Sequence, residues 1–166
     1  MHDANYWIKT LDLKPHPEGG YYKETYRSNI KVGARELPVG YDAERRLVTS
    51  IYYLLKAGQV SRFHRLKSDE IWYFHLGATV KIVMIDPDGH KHTQYIGKNL
   101  DKADKLQCLI PANHLFAAEL IGKEEFGLFG CVVSPGFEFT DYEQFESDDL
   151  MQIYPKHSDL IKKYCP

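Results

Sequence analysis

Four residues of this 166-residue sequence stand at spacings suited to proton chemistry: Gly58, His64, Glu70 and Gly77, separated by six, six and seven positions. Glycine turns bounding a hairpin would put the imidazole on one strand and the carboxyl on the next, both facing one interior, because side chains alternate along a strand. The same alternation groups Arg62 and Leu66 with His64, and Trp72 and Phe74 with Glu70, so the expected pocket floor is aromatic. A carboxylate beside His64 would fix its tautomer and favour its protonated form, giving a base, His64, with Glu70 as its orienter. A hydrogen-bonded structural pair is the other reading of the same two residues. The sequence holds 12 tyrosines, most of them ordinary barrel-packing residues; Tyr53 and Tyr22 are the candidate acids. Arg27 is a candidate for bidentate capture of an anionic group, and Glu18, between Pro17 and Gly19, a candidate for shaping the pocket rim. His75 lies an odd number of positions from Glu70 and should face the other way. His114 shares parity with Phe116 and is the candidate supplementary ligand near the rim. With His64, Glu70 and His114 at most, the donors fall short of the three or four that a zinc or non-haem iron site requires, so no metal and no cofactor is expected.

These residues need a scaffold, and the sequence outlines one. From Leu47 onward, short β-favouring runs recur at 47–55, 60–65, 70–76, 79–86, 92–96, 105–110, 114–121 and 126–134, the spacing of a sandwich or barrel. Turn chemistry separates them at Ala57-Gly58, Leu76-Gly77, Asp86-Pro87-Asp88-Gly89 and Ile121-Gly122-Lys123. No amphipathic segment of helical length intervenes, which disfavours a parallel βαβ design. Before this region, Asp3 caps a short helix whose Trp7, Ile8 and Leu11 share a face until Pro15. The breaker cluster 15–20 follows, then a half-buried strand at 21–28 and a long polar loop at 29–46. The run Phe126 to Val133 is apolar on both alternating faces and should be covered on both sides, by the opposite sheet and by a partner subunit or the N-terminal segment. An acidic end closes with a helical turn or two, Asp159 to Tyr164, capped by Ser158.

Composition narrows the classes. Twenty-one basic against 23 acidic residues leave a net charge of −2, which gives no electrostatic pull toward nucleic acid or an anionic membrane. No apolar run reaches the ~18 residues of a membrane span, and the start lacks the pattern of a signal peptide, so a soluble, non-exported chain is expected. Cys108 and Cys131 sit in apolar runs and read, with Cys165, as reduced thiols of a cytoplasmic protein. His90-Lys91-His92 follows a turn and reads as solvated. The glycine pairs lack the strand-to-helix setting of a phosphate loop.

The Gly58, His64, Glu70, Gly77 series resembles the first motif of the cupin superfamily, whose second motif is matched in register by Pro111-Ala112-Asn113-His114-Leu115-Phe116. In metal-binding cupins the motif residues are ligands. Here Leu66 stands at the second His of the first motif and Phe116 at the His of the second, so two of four usual ligands are lost. Segments Pro15 to Tyr22, Glu24 to Ser28, Thr49 to Leu54, His64 to Trp72 and Pro135 to Phe139 together resemble the fifth cupin family, a domain of unknown function. The resemblance implies an all-β jelly-roll barrel spanning 1–166 as one cupin domain, with an N-terminal arm (1–46), a barrel (47–140), a tail (141–166) and short terminal helices. It also implies a homodimer and a pocket at the barrel mouth. Metal-free cupin deoxysugar epimerases, which use a carboxylate-oriented His and a Tyr, set the leading functional expectation: metal-independent isomerisation or epimerisation of a carbonyl or sugar-like compound. In that reading His64, Glu70 and Tyr53 are catalytic, while Trp72, Phe74, Phe116, Arg27, Tyr22, Glu18 and His114 contact ligand. Non-enzymatic small-molecule binding and metal-dependent oxygenase or hydrolase chemistry are the alternatives.

Overall fold

The computed structural model describes residues 2–165. In chain order the elements are α1 (Ala4–Thr10), β1 (Lys14–Pro15), β2 (Tyr21–Arg27), β3 (Lys31–Val32), β4 (Arg45–Arg46), β5 (Thr49–Lys56), β6 (Val60–Leu66), β7 (Asp69–Gly77), β8 (Thr79–Ile85), β9 (Lys91–Ile96), β10 (Gln107–Ile110), β11 (Leu115–Ile121), β12 (Phe126–Ser134), β13 (Tyr142–Gln144), α2 (Ser147–Ile153) and α3 (Ser158–Tyr164). Two antiparallel sheets form the body, one ordered β1-β2-β5-β12-β7-β10 and the other β13-β6-β11-β8-β9. The fold is mostly β, with the jelly-roll arrangement the motifs imply, and each β-like run of the sequence from Leu47 onward becomes a strand.

Alternation along the strands sorts the side chains into three apolar layers. Between the sheets lie Tyr53, Leu55, Leu66, Trp72, Val80, Ile82, Met84, Phe116 and Phe129. Outside the second sheet, Phe63, Val83, Ile85, Leu115 and Ala117 pack against Leu150, Ile161 and Tyr164 of α2 and α3. Burying Leu150 and Ile161 contributes about 1.5–3 kcal/mol each, which offsets the poor intrinsic stability of seven-residue helices. Outside the first sheet, α1 lays Ala4, Trp7 and Ile8 over Leu54, Phe126 and Leu128. The N-terminal segment thus covers part of β12, as its two apolar faces require. Gly77, at φ +94°, permits the β7–β8 turn: a Cβ there would lie 2.2 Å from the Phe126 carbonyl oxygen.

Three local readings are corrected. The segment 29–46 is not all loop: β3 and β4 pair within it, and Arg45 reaches Asp141 with Nε to Oδ2 at 2.5 Å and Nη2 to Oδ1 at 2.7 Å, both residues buried. The acidic end holds β13 and α2, whose acidic first turn suits a helix N-terminus. Ser158 is the first residue of α3 rather than its cap, and its hydroxyl donates to the Pro155 carbonyl at 2.6 Å. Among the described residues no helix is long and apolar enough to cross a membrane, and Cys108, Cys131 and Cys165 are buried free thiols.

Candidate functional site

A cavity of about 110 Å³ opens between the sheets, walled by Tyr22, Tyr53, Trp72, Phe137, Phe139 and Tyr142 and carrying His16, Glu18, His64 and Glu70. A water needs about 10–15 Å³ of such space, so several waters or one small organic molecule fit. The polar residues arrive from three parts of the chain. His64 comes from β6 and Glu70 from β7, but His16 and Glu18 come from the strap between β1 and β2. That strap is pinned by main-chain contacts: Arg62 N–H donates to the Glu18 carbonyl at 2.8 Å, His16 N–H to the Gly20 carbonyl at 3.0 Å, and the Tyr53 hydroxyl to the Gly19 carbonyl at 2.8 Å. Gly19, at φ +111°, is required there, since a Cβ would lie 2.2 Å from the Val60 carbonyl oxygen.

The partner of His64 is Glu18, not Glu70. His64 Nε2 lies 3.0 Å from Glu18 Oε2, and its Nδ1 lies 2.7 Å from the Arg62 carbonyl oxygen. A carbonyl only accepts, so Nδ1 carries a proton, and Nε2 faces the carboxyl with its lone pair unless a second proton is bound. Burial disfavours charge on both groups: it pushes His64 down to about 4 and Glu18 above the usual carboxylate range. Burial therefore works against an ion pair at this contact, where one proton is held between two atoms, and against the expected favouring of a protonated His64. Ser61 donates to Glu18 Oε1 at 3.0 Å, and His16 Nδ1 lies 3.5 Å from Glu18 Oε2. Burial also lowers His16.

Glu70 sits on the same cavity, with the Trp72 indole and the Cys131 thiol beside its carboxyl. Burial, reinforced by the Glu18 carboxyl, pushes it up to about 8, which leaves it largely a neutral acid at pH 7. The Trp72 indole N–H is buried and has no regular acceptor.

The remaining expected site residues divide cleanly. Tyr22 and Trp72 line the cavity, as does Tyr53; the Tyr53 hydroxyl, however, donates to the Gly19 carbonyl and burial raises its pKa well above the ordinary value, both of which work against it as the acid. Arg27 stands at the cavity edge with its guanidinium taken up by Glu24, at 2.8 Å, and Glu138, at 2.6 Å, so it is not free for an anion. Phe116 stacks on His64 with ring centroids 4.0 Å apart and supports it from the core. Phe74 packs on Phe129, away from the cavity. His114 lies in the turn before β11, where strand parity does not reach, and its Nδ1 faces the Ala112 carbonyl; it is no part of the site. His75 faces outward beside Tyr52, as its parity requires. A β-bulge between the β6 and β11 partners puts Ser61 rather than Arg62 on the cavity side. Composition and spacing missed His16, Tyr142, Phe137, Phe139, Glu24, Thr49 and Glu138. The signal that was present for the first was the pair of titratable residues, His16 and Glu18, fixed inside a Pro/Gly turn.

Residues 5–145 match the family described as Cupin superfamily (DUF985). The chain belongs to this cupin family. It is 30% identical over 154 residues to the uncharacterized protein YML079W of Saccharomyces cerevisiae, covering 87% of this chain and 76% of that one. Among solved structures, protein SO0799 of Shewanella oneidensis is 39% identical with a TM-score of 0.87, over 100% of this chain and 99% of that one. A hypothetical protein from Leishmania major is 33% identical with a TM-score of 0.90, over 99% of each chain. Oxalate decarboxylase OxdC of Bacillus subtilis, at 18% identity and a TM-score of 0.56, covering 92% of this chain and 37% of that one, shares the fold.

Cupins commonly hold a metal on the motif residues, and the donors here do not fit one. Leu66 and Phe116 put hydrocarbon at two ligand positions, His64 Nε2 is taken by Glu18, and Glu70 carries a proton that a metal would have to displace. His16, Glu18 and His64 do not converge as ligands: among the described residues the tight donor cluster is Asp86, Asp88 and His90, on an exposed turn remote from the cavity.

Proposed function

We propose that this cupin binds a small organic molecule in its barrel cavity and moves a proton on it without a metal, as an isomerase or epimerase of a carbonyl or sugar-like compound. The observation that carries the reading is the 3.0 Å contact between His64 and Glu18 inside an aromatic-walled cavity. A buried acid and imidazole sharing one proton can pass it between them, so the pair serves as base when Glu18 has passed its proton to His64 and as acid when it has recovered it, the ion-paired form being the costlier of the two. The imidazolium formed in between is stabilised by the Arg62 carbonyl, which already accepts from Nδ1. The role first given to Glu70, orienting His64, passes to Glu18.

Simple binding is a second reading, favoured by the fact that both His64 nitrogens already have partners. Solvent-deuterium incorporation separates the two. The compound that co-purifies, identified by mass spectrometry, or dihydroxyacetone where nothing co-purifies, is incubated with the protein in D2O and followed by proton NMR. Carbon-bound deuterium that appears with the wild type and is lost in Glu18→Gln and in His64→Gln is the expected result; a compound recovered unlabelled after long incubation refutes proton transfer.

We further propose a cytoplasmic homodimer. Support comes from the outward row Val132, Ile71 and Leu109, in register across β12, β7 and β10, which exposes apolar surface with Leu109 45% accessible, and from three cysteines that remain free.

A further inference from the structure

Two polar groups on the cavity wall have no use in the Glu18–His64 couple. The Trp72 indole N–H is buried with no regular acceptor, although Trp72 itself is 1% exposed and a buried donor left unpaired costs about 1–3 kcal/mol. The Glu70 carboxyl, on the same strand two residues earlier and therefore on the same face, is 6% exposed, with the Trp72 indole and the Cys131 thiol beside it. Both line the cavity that holds His64 and Glu18. A buried indole N–H with no regular acceptor and an adjacent carboxyl, on the wall of the cavity that holds the proton-transfer couple, are what a substrate oxygen would satisfy.

We propose that the Trp72 indole N–H and the Glu70 carboxyl form a two-donor subsite for the carbonyl oxygen of an uncharged substrate. This rests on the acid–base reading for its catalytic meaning: when the couple removes a proton beside the carbonyl, the C–H electron pair moves into the new C–C double bond and negative charge gathers on the oxygen, where two donors in a dry cavity stabilise it. Return of the proton from Glu18 to the enolate carbon, with the C–C double-bond electrons re-forming the C–H bond, restores the ketone or aldehyde. Glu70 can donate because burial keeps it protonated to about pH 8. The titratable groups that face it are the Glu18 carboxyl from the strap and the Cys131 thiol of β12, with Cys108 of β10 behind. An ionised Glu18 raises the Glu70 pKa further, while the Trp72 indole and the Cys131 thiol, hydrogen-bonding toward it, lower it. The substrate is uncharged because Arg27, the lysine or arginine on this cavity among the described residues, is bound by Glu24 and Glu138, so a phosphate or carboxylate would meet two carboxylates and no free cation.

Cyclopentanone, a compact uncharged ketone with exchangeable protons beside its carbonyl, is the probe. The protein has two tryptophans, and the indole N–H signal of Trp7, which packs under α1 outside the cavity, serves as the internal reference for that of Trp72. Titration should move the Trp72 signal downfield to saturation and leave Trp7 in place, with affinity falling about tenfold, one hydrogen bond's worth, as the pH rises from 7 past 9. Glu70→Gln, which keeps a donor that does not titrate, should flatten that pH dependence, and Trp72→Phe should weaken binding by a similar factor. A Trp72 signal fixed up to the solubility limit, or a pH dependence unchanged in Glu70→Gln, overturns the subsite. Deuterium exchange into cyclopentanone in D2O is read in the same tubes: a shifted indole without exchange keeps the subsite and refutes the couple, whereas exchange with an unmoved indole does the reverse.

Discussion

Replacing Glu70 by Gln should make the protein more stable at alkaline pH. A carboxyl at about 8 in the folded chain and near 4.5 when unfolded binds its proton more tightly in the native state. Its contribution is fully present below pH 4.5 and is lost as the pH rises through about 8. Taken at 1.36 kcal/mol per pH unit, the interval is worth about 5 kcal/mol as an upper bound. Gln has the shape of the protonated acid and titrates nowhere in this range. Urea unfolding of both proteins at intervals between pH 5 and 9 gives the difference in stability directly, with other titrating groups such as His64 and Glu18 cancelling to the extent that they do not couple to Glu70. The difference should grow in favour of Glu70→Gln as pH increases, by several kcal/mol in total, and level off above pH 8. Parallel curves would mean that Glu70 is ionised in the native state, and the cavity would then present a carboxylate, not an acid, to its ligand.

Glu18→Ala should cost roughly 2–6 kcal/mol, because it leaves the His64 Nε2 acceptor and the Ser61 hydroxyl without a partner at about 1–3 kcal/mol each; Glu18→Gln, which can donate to the one and accept from the other, should recover most of it, and equal losses in chemical denaturation would show that the site needs a carboxylate. Arg45→Met should destabilise by up to about 3–5 kcal/mol by leaving the buried Asp141 carboxylate with Lys67, at 3.4 Å, as its remaining counter-charge, and the double variant Arg45→Met/Asp141→Leu should regain much of that; a double variant as weak as the single would place the cost elsewhere. Leu109→Lys should shift the mass seen by light scattering during gel filtration from dimer toward monomer, and an unchanged mass would exclude the Val132, Ile71 and Leu109 row as the contact.

The barrel was legible because its signals are local and repeat. Strand periods and Gly or Pro turns lie within a few residues of what they determine, and the strands fall where the alternating runs put them. The inward face of β7 followed from parity alone, and so did the outward turn of His75. The site was legible only in part, because its defining contact joins residues 46 positions apart, Glu18 and His64, across the strap. Sequence spacing ties His64 to Glu70 through the hairpin, and both do reach one cavity, but no spacing rule reports which carboxyl a non-local strap will bring closer. The bulge in β6 is a further case: one extra residue exchanges Arg62 for Ser61 on the inner face, and nothing in the run Val60 to Leu66 announces it. The burial that decides which groups hold protons is likewise a property of the closed barrel, not of any segment.

The strap from His16 to Gly20 is fastened to the barrel mainly by its Glu18 and Gly19 carbonyls and by the close seat of Gly19, while the Glu18 carboxyl turns inward to Ser61 and His64. Anchorage and chemistry are thus written in different atoms of the same five residues. A substitution at position 16 or 18 that keeps these hydrogen bonds can therefore alter what the barrel does to its guest while leaving the main-chain seat of the strap intact, so that relatives sharing this shell can diverge in reaction through two side chains that no strand of the shell contributes.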